Sequence, residues 1–497
     1  AGNMRTIKII IFVCFIIPLI FSCDRTTEVK KGEISGYILL EKQMDHSGII
    51  VSIYPAPIVP AEIIDVNREY PQLSYPIDDY VYFDHRAYNP IKTVYTDSEG
   101  KFKIPNIAYG NYIIAYYKDG WGYNYVYNIE LNNPEYNMDE HYLYQELEVP
   151  HSITNEYVFI PDRTYRISGN CVSLPGSSVI AHTNTRIIID PDAKFQINGN
   201  FTTQFEDDSM VIITSSSSIY QPNSEVIAGL AVEFTANSTV SNLNNILFSY
   251  INDGLKITKS NIIIENCGFI RNRNSLQIFN ISDIEIKENN FLLNENTLSE
   301  TVYCYNTNDV VIERNIFFKN ACSIKTEIGK ESIIQNNYFM DGNYGLQTLW
   351  ESTAIAQYNI FKGSKNALSN SGASNLEILY NEINSETCVY TFITSNWGNS
   401  PTQGWTKANN NNFRSINYAV LCNAVYYNEG NPMSLDFHNN YWGIANSDGI
   451  DDKIYDYYDA PPYDTSNGGN WGIIEYTPFK TSPITNAGIQ FNNTRFR

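Results

Sequence analysis

Acid–base chemistry needs a pair of carboxylates, or a carboxylate beside a cation, and the C-terminal half of this chain spaces such residues regularly. Glu265, Lys287, Glu313, Gln335, Gln357, Asn409 and His438 recur at similar intervals, so they are expected to form one outer stripe. Glu265 and Glu313 are its two carboxylates. If each repeat rises by one strand spacing, they stand roughly 10 Å apart, near the upper limit for inverting hydrolysis of a glycosidic bond. A plain solvated stripe fits the same pattern. Lys407 and Arg414 are the cationic candidates for a base. Trp397 and Trp405 lie in a Gly- and Asn-rich segment, and Trp350 is a third exposed-ring candidate. Indoles stack on sugar rings while amides read hydroxyls; the same rings can simply pack a loop onto its support. Asp448, Asp451, Asp452, Asp456 and Asp459 offer hard oxygen ligands suited to calcium. Asn446-Ser447-Asp448-Gly449 lacks the downstream spacing of an EF-hand, so a solvated acidic loop is the other reading. His-Glu-x-x-His, Gly-x-Ser-x-Gly and a phosphate-binding Gly-rich loop are absent from the sequence.

Whatever positions these residues must repeat. One apolar anchor per repeat can be read at Leu247, Phe269, Phe291, Phe317, Phe339, Phe361, Ile383, Phe413 and Trp442, at intervals of 22, 22, 26, 22, 22, 22, 30 and 29 residues. Two residues earlier stands Asn245, Asn289, Asn315, Asn337, Asn359, Asn381, Asn411 or Asn440; Cys267 alone departs. A fixed period of this length means a solenoid. The Leu-x-x-Leu-x-Leu signature of leucine-rich repeats is missing, whereas alternating Ile-x-Ile strands with Asn at turns fit stacked parallel β-coils. The Asn column is expected to form an amide ladder from coil to coil. Residues 160–245 read as earlier, less regular coils. The period breaks after Phe291, Ile383 and Phe413, and such insertions map to loops, often on a binding face.

The 497 residues carry a formal net charge of −21. Nucleic-acid binding is excluded, because neutralising phosphates needs clustered Lys and Arg. Hydrophobic residues make up 43 %, too many for a disordered chain. Charged residues are scarce and Tyr abundant, which favours β-structure over long helices. Ile9 to Phe21 forms an apolar run behind Arg5 and Lys8, too short and too broken by Pro18 for a membrane span but suited to a signal peptide. Cys171, Cys267, Cys304, Cys322, Cys388 and Cys422 show no Cys-x-x-Cys spacing and are expected as buried free thiols.

Three resemblances follow from particular residues. Leu19-Ile20-Phe21-Ser22-Cys23 resembles the lipobox of bacterial lipoproteins, which implies lipidation at Cys23 and a tether over 24–31. Gly32-x-Ile34-x-Gly36, Thr96-Asp97-x-x-Gly100-x-Phe102-x-Ile104 and Gly110-x-Tyr112 resemble the carboxypeptidase regulatory-like domain, implying a non-catalytic β-sandwich over 32–155 with an inserted loop from about Pro55 to Pro90. A loop that long is expected to be functional or mobile. The Ile-x-x-Asn-x-Phe coils, and the ending His438-Asn439-Asn440-Tyr441-Trp442-Gly443, resemble the right-handed parallel β-helix proteins of bacterial envelopes, with the pectate-lyase-like fold over 160–442 and a cap over 443–497. The Gly-His-Gly, Arg-Ile-Lys and Trp-Ile-Asp-His elements of polygalacturonases and pectate lyases are missing. The expectation is therefore an all-β, monomeric, lipid-anchored protein of the bacterial outer membrane surface. It binds an extended polymer, a polysaccharide or cell-surface glycan, without catalysis. The alternatives are a polysaccharide lyase or glycoside hydrolase, and a structural surface protein.

Overall fold

The computed structural model describes residues 29–204, 209–216, 232–295, 300–393, 404–422, 433–459 and 472–491. Cys23, most of the tether and Trp397 lie outside them. The chain divides into two compact units. The first comprises residues up to Ala56, Pro90–Tyr117 and Asn124–Tyr142, and the second Pro57–Asn89, Lys118–Tyr123 and Leu143 onward.

The first unit holds two sheets, one built from Lys101–Ala108, Lys31–Leu40 and Glu135–Leu143, the other from Lys92–Tyr95, Ile50–Pro55, Gly110–Lys118 and Gly122–Leu131. Alternation along Lys31–Leu40 buries Ile34, Ile38 and Leu40. The motif residues have structural tasks. Asp97 accepts from the backbone N–H groups of Glu99 and Lys101 through Oδ1, and Gly100 turns at φ +81°, where a Cβ would collide with the Ile38 carbonyl oxygen. Thr96 Oγ1 donates to the His46 carbonyl and accepts from Ile49 N–H, tying the turn to the next strand.

The second unit is a parallel β-solenoid. Three long faces run along it. Among the described residues, face A has 12 strands from Leu147–Glu148 to Asn412–Phe413, face B has 13 from Ser152–Ile153 to Ile454–Tyr455, and face C has 8 from Asn242–Asn244 to Trp405–Asn409. The strands Glu156–Phe159, Ser178–His182 and Asn200–Gln204 form a separate three-stranded sheet in the earlier coils. Inward side chains build one continuous core, in which Phe248, Phe269, Phe291, Phe317, Phe339 and Phe361 stack with centroids 5.1, 4.8, 4.8, 4.8 and 4.5 Å apart and nearly parallel planes. The earliest expected anchor is off by one. Phe248, not Leu247, pairs with Phe269, and Leu247 faces outward, because a one-residue shift reverses the side chain's direction in a strand. Asn245 is displaced with it. It occupies a corner of positive φ that recurs at Asn266, Glu288, Arg314, Asn336, Tyr358, Tyr380, Asn410 and Asn439.

The expected amide ladder is present from Asn289 to Asn440. Each Asn Oδ1 accepts from the backbone N–H of the previous member at 2.8–3.0 Å, and each Nδ2 donates to a core-strand carbonyl. Cys267 N–H donates to Asn289 and so ends the ladder without an amide of its own. A second, shorter ladder, Asn272–Asn294–Asn320, lines another corner. All six described cysteines are free and buried.

The segment from about Pro55 to Pro90 is not a plain loop. Pro60 precedes a helix at Ala61–Glu69, with Glu62 in its first turn and Arg68 in its last, both favourable to the helix dipole. Its inner residues Ile63 and Val66 join Val59, Leu73, Ile77 and Val81 against the outward residues of face A, namely Leu247, Ile270, Leu292, Phe318 and Met340. Tyr75 comes close enough that a Cβ on Gly268 would lie 2.7 Å from its hydroxyl. The C-terminal segment descends the same face from the other end. Lys480 N–H bonds to the Asn440 carbonyl, Ile484 N–H to Asn412 Oδ1, Gly488 N–H to the Tyr380 carbonyl and Gln490 N–H to Asn336 Oδ1. Face A is thus covered from both ends.

Three guanidinium groups gather here, Arg86 from the inserted segment and Arg186 and Arg271 from the coils. Asp84 binds Arg86 through two parallel hydrogen bonds of 3.0 and 2.7 Å, and Arg86 also donates to the Ser215 carbonyl and Thr214 Oγ1. Arg186 stacks on Tyr123, and Arg271 on Tyr82 and Tyr88. Burial raises the Asp84 carboxyl, but Arg86 more than offsets it and holds it well below the usual range. His85, only 13 % exposed at its side chain, is pushed down to about 4 by burial and by Arg86 and Arg186, against the pull of Asp84. A folded-state value below the ordinary 6.5 means the unfolded chain takes up the proton first as pH falls. The neutral-pH stability is therefore complete above about 6.5 and declines toward pH 4, by on the order of 3 kcal/mol for this one group. Thermal denaturation between pH 7 and pH 4.5 should show His85→Gln losing less stability than the parent; identical slopes would remove His85 from the account.

Candidate ligand-binding face

Face A offers nothing to a ligand over its covered length. On face C, the expected stripe is in register: Glu265, Lys287, Glu313, Gln335 and Gln357 pair in sequence. Their heads are engaged with one another. Glu265 accepts from Asn242 at 2.7 Å and meets Lys287 at 3.1 Å. Glu313, 4 % exposed, binds Arg314 at 2.9 Å and Gln335 at 2.8 Å, and Gln357 donates to Gln335. Lys287 stands between the two carboxylates, so they do not face each other across open space. Lys407 continues the face toward Glu377 and Asp436, at 3.9 and 3.7 Å, and His438 Nδ1 meets Asp436 at 2.8 Å. This is a ladder of paired side chains, suited to tying coils together.

Face B differs. Its outward residues Gln277, Tyr303, Lys325 and Gln347 are in register from coil to coil, beside Phe279, Tyr305, Glu327 and Leu349. Strict alternation puts them outside, because Cys304, Ile278, Ile324 and Thr326 between them are buried. Lys325 Nζ lies 2.9 Å from Glu300 and 3.7 Å from Glu327, and 5.2 Å from the centre of the Tyr303 ring. Tyr303 donates to Glu327 at 2.9 Å and meets Phe279 edge-on at 5.7 Å. Burial and the Glu327 hydrogen bond hold the Tyr303 hydroxyl protonated well above its ordinary range. Burial lowers Lys325, but the Glu300 contact more than restores it, so it stays cationic. Half-buried aromatic rings next to fixed amide, ammonium and carboxylate groups can stack on a sugar and hydrogen-bond its hydroxyls.

In sequence, the insertions join strands of this face to the others. Connections 216–231 and 293–301 join face A to face B, and 394–404 and 423–433 leave face B on its other side. Each includes residues outside those described. Trp350 stands at the end of the face B strand Tyr344–Leu349, 40 % exposed and at φ +49°. Trp405 opens the face C strand Trp405–Asn409, half-buried. Arg414 lies at the corner between faces A and B, 3.1 Å from Glu382.

The cap aspartates do not converge. Asp448 lies in the first turn of the short helix Ser447–Asp451, Asp451 accepts from the Tyr476 hydroxyl, and Asp456 accepts from the backbone N–H groups of Tyr458 and Ile474. Burial raises the Asp456 carboxyl. Among the described residues no three His, Cys, Asp or Glu side chains are gathered to hold a metal. Asp452 closes that helix at its C-cap.

The Tyr303–Lys325–Glu300–Glu327 group was not singled out from the sequence. Its signal is there in Tyr303-x-Tyr305 and Lys325-x-Glu327, polar or aromatic residues alternating around buried ones. Compared with protein-family models and with curated proteins, the chain matches none.

Proposed function

We propose that this chain is a non-catalytic glycan-binding protein of the bacterial envelope and that face B is its binding surface. The observation that supports this best is the in-register aromatic and polar column on face B. A linear polymer laid along the solenoid would meet a polar or aromatic side chain of this column at each coil from Gln277 to Gln347, about 4.8 Å apart. In the same reading, Cys23 carries the lipid anchor to the outer membrane, and the first unit is a carboxypeptidase regulatory-like spacer. The protein acts as a monomer, and any calcium is brought by the glycan.

The test is a glycan panel run on the chain from residue 24, with and without calcium, scoring retention and product release separately. Retention without release is expected. Tyr303→Ala and Trp350→Ala should each weaken it roughly tenfold or more, as truncation of a buried aromatic anchor does, while Glu265→Gln should leave it unchanged. Release of reducing or unsaturated ends would replace this reading with the lyase or hydrolase. Retention that ignores Tyr303→Ala would move the site off face B, and no retention on any glycan would favour the structural surface protein.

A further inference from the structure

At the C-terminal end of the solenoid, the corner between faces A and B opens into a hollow of about 680 Å³, whose wall includes Asn384, Arg414, Ser415, Tyr441, Trp442 and Lys453. Its polar groups are mostly hydrogen-bond donors. Arg414 uses Nε toward Glu382, and that carboxylate is shared with Asn412 Nδ2 at 2.8 Å. Lys453 Nζ donates to the Ser415 carbonyl at 3.3 Å. Two further donors on the wall, Ser415 Oγ and the indole Nε1 of Trp442, are buried without a hydrogen-bond partner, and Trp442 is 1 % exposed. Leaving buried donors unpaired costs free energy. An acceptor-rich group would answer the Ser415 hydroxyl and the two cations at once.

We propose that this hollow is an oxyanion-binding subsite that takes the carboxylate or sulfate group of an acidic sugar. Arg414 and Lys453 supply the charge. Ser415, whose hydroxyl can rotate, supplies a neutral donor, and Trp442 forms part of the wall. A guanidinium and an ammonium on one oxyanion give short, charge-assisted hydrogen bonds. The hollow adjoins the last strands of face B, Tyr418–Cys422 and Ile454–Tyr455, so a glycan on that face would end here. The identity of the carrier rests on the glycan-binding reading; the anion chemistry does not.

Calorimetric titration of the chain from residue 24 with N-acetylneuraminic acid, sodium sulfate, sodium phosphate and, as neutral control, glucose tests it. Saturable binding of at least one anion and none of glucose is expected. Arg414→Gln and Lys453→Gln should each weaken it roughly tenfold, and a melting temperature measured for each variant separates loss of binding from loss of fold. Tighter binding of the sugar acid than of the inorganic ions assigns the hollow to a glycan end; the reverse assigns it to a free ion. Absence of saturable binding by all three anions, or binding that survives the double variant, overturns the subsite. Neutral glycan retention with no anion binding overturns the subsite alone. Anion binding without any glycan retention overturns the glycan-binding reading alone.

Discussion

Phe317→Ala is expected to lower unfolding stability by about 3–5 kcal/mol, the range for removing a large aromatic side chain from a packed core. Phe317 is 1 % exposed and stacks between Phe291 and Phe339, both at 4.8 Å. Its neighbours above and below are held by strand pairing and cannot close on the gap, so the cavity term stays nearly whole. Phe279→Ala is the control. That ring lies on the outward side of face B, half-buried, and its loss should cost under about 1.5 kcal/mol, since little packed volume is vacated. Denaturant or thermal unfolding of both variants measures the difference; equal effects would mean the ring stack contributes no more than surface area.

Asn337→Leu is expected to be comparably damaging at constant side-chain size. Asn337 Oδ1 accepts from the backbone and side chain of Asn315, and its Nδ2 donates to the carbonyls of Ile312 and Gln335 and to Asn359 Oδ1. All lie in the dry interior. Each group left unpaired costs about 1–3 kcal/mol, so a loss of at least 3 kcal/mol is expected with the hydrophobic volume preserved. Asn337→Cys repeats what the chain does at position 267, where a thiol terminates the ladder, but here it would cut the ladder in its middle. If Asn337→Leu unfolds at the parental denaturant concentration, the ladder is a passenger of the strand pairing and not a support for it.

The column residues were legible in the sequence because every coil repeats them. Phe291, Phe317, Phe339 and their asparagines stand at fixed spacing, and spacing is what a stacked coil must keep. Leu247 shows where that logic ends. In Ile246-Leu247-Phe248 all three residues are apolar, so periodicity alone cannot say which one faces inward. That ambiguity carried information of its own. Face A strands such as Ile316-Phe317-Phe318 and Tyr338-Phe339-Met340 are apolar on both sides, as strands covered on both faces are. The cover, Pro57–Asn89, could not be read because its apolar residues Val59, Ile63, Val66 and Leu73 follow no repeat and belong by sequence to another unit. Trp397 and Trp405 stand out in the sequence through their insertion, yet Trp405 opens a face C strand and Trp397 lies outside the described residues. Tyr303, Lys325 and Glu327 gained their meaning only from the register that brings residues of consecutive coils side by side.

The covering of face A changes what kind of object the solenoid is. Stacked coils that touch only their neighbours behave as a one-dimensional array, able to fray from an end one coil at a time. Here the inserted segment touches coils from Met210 to Met340, and the C-terminal segment bonds to coils from Asn440 back to Asn336. Opening the last coil therefore loosens a segment on which earlier coils depend, and opening the middle strips both. Nearest-neighbour coupling becomes coupling across most of the array, and the coils should melt together as one unit instead of in sequence from the tip.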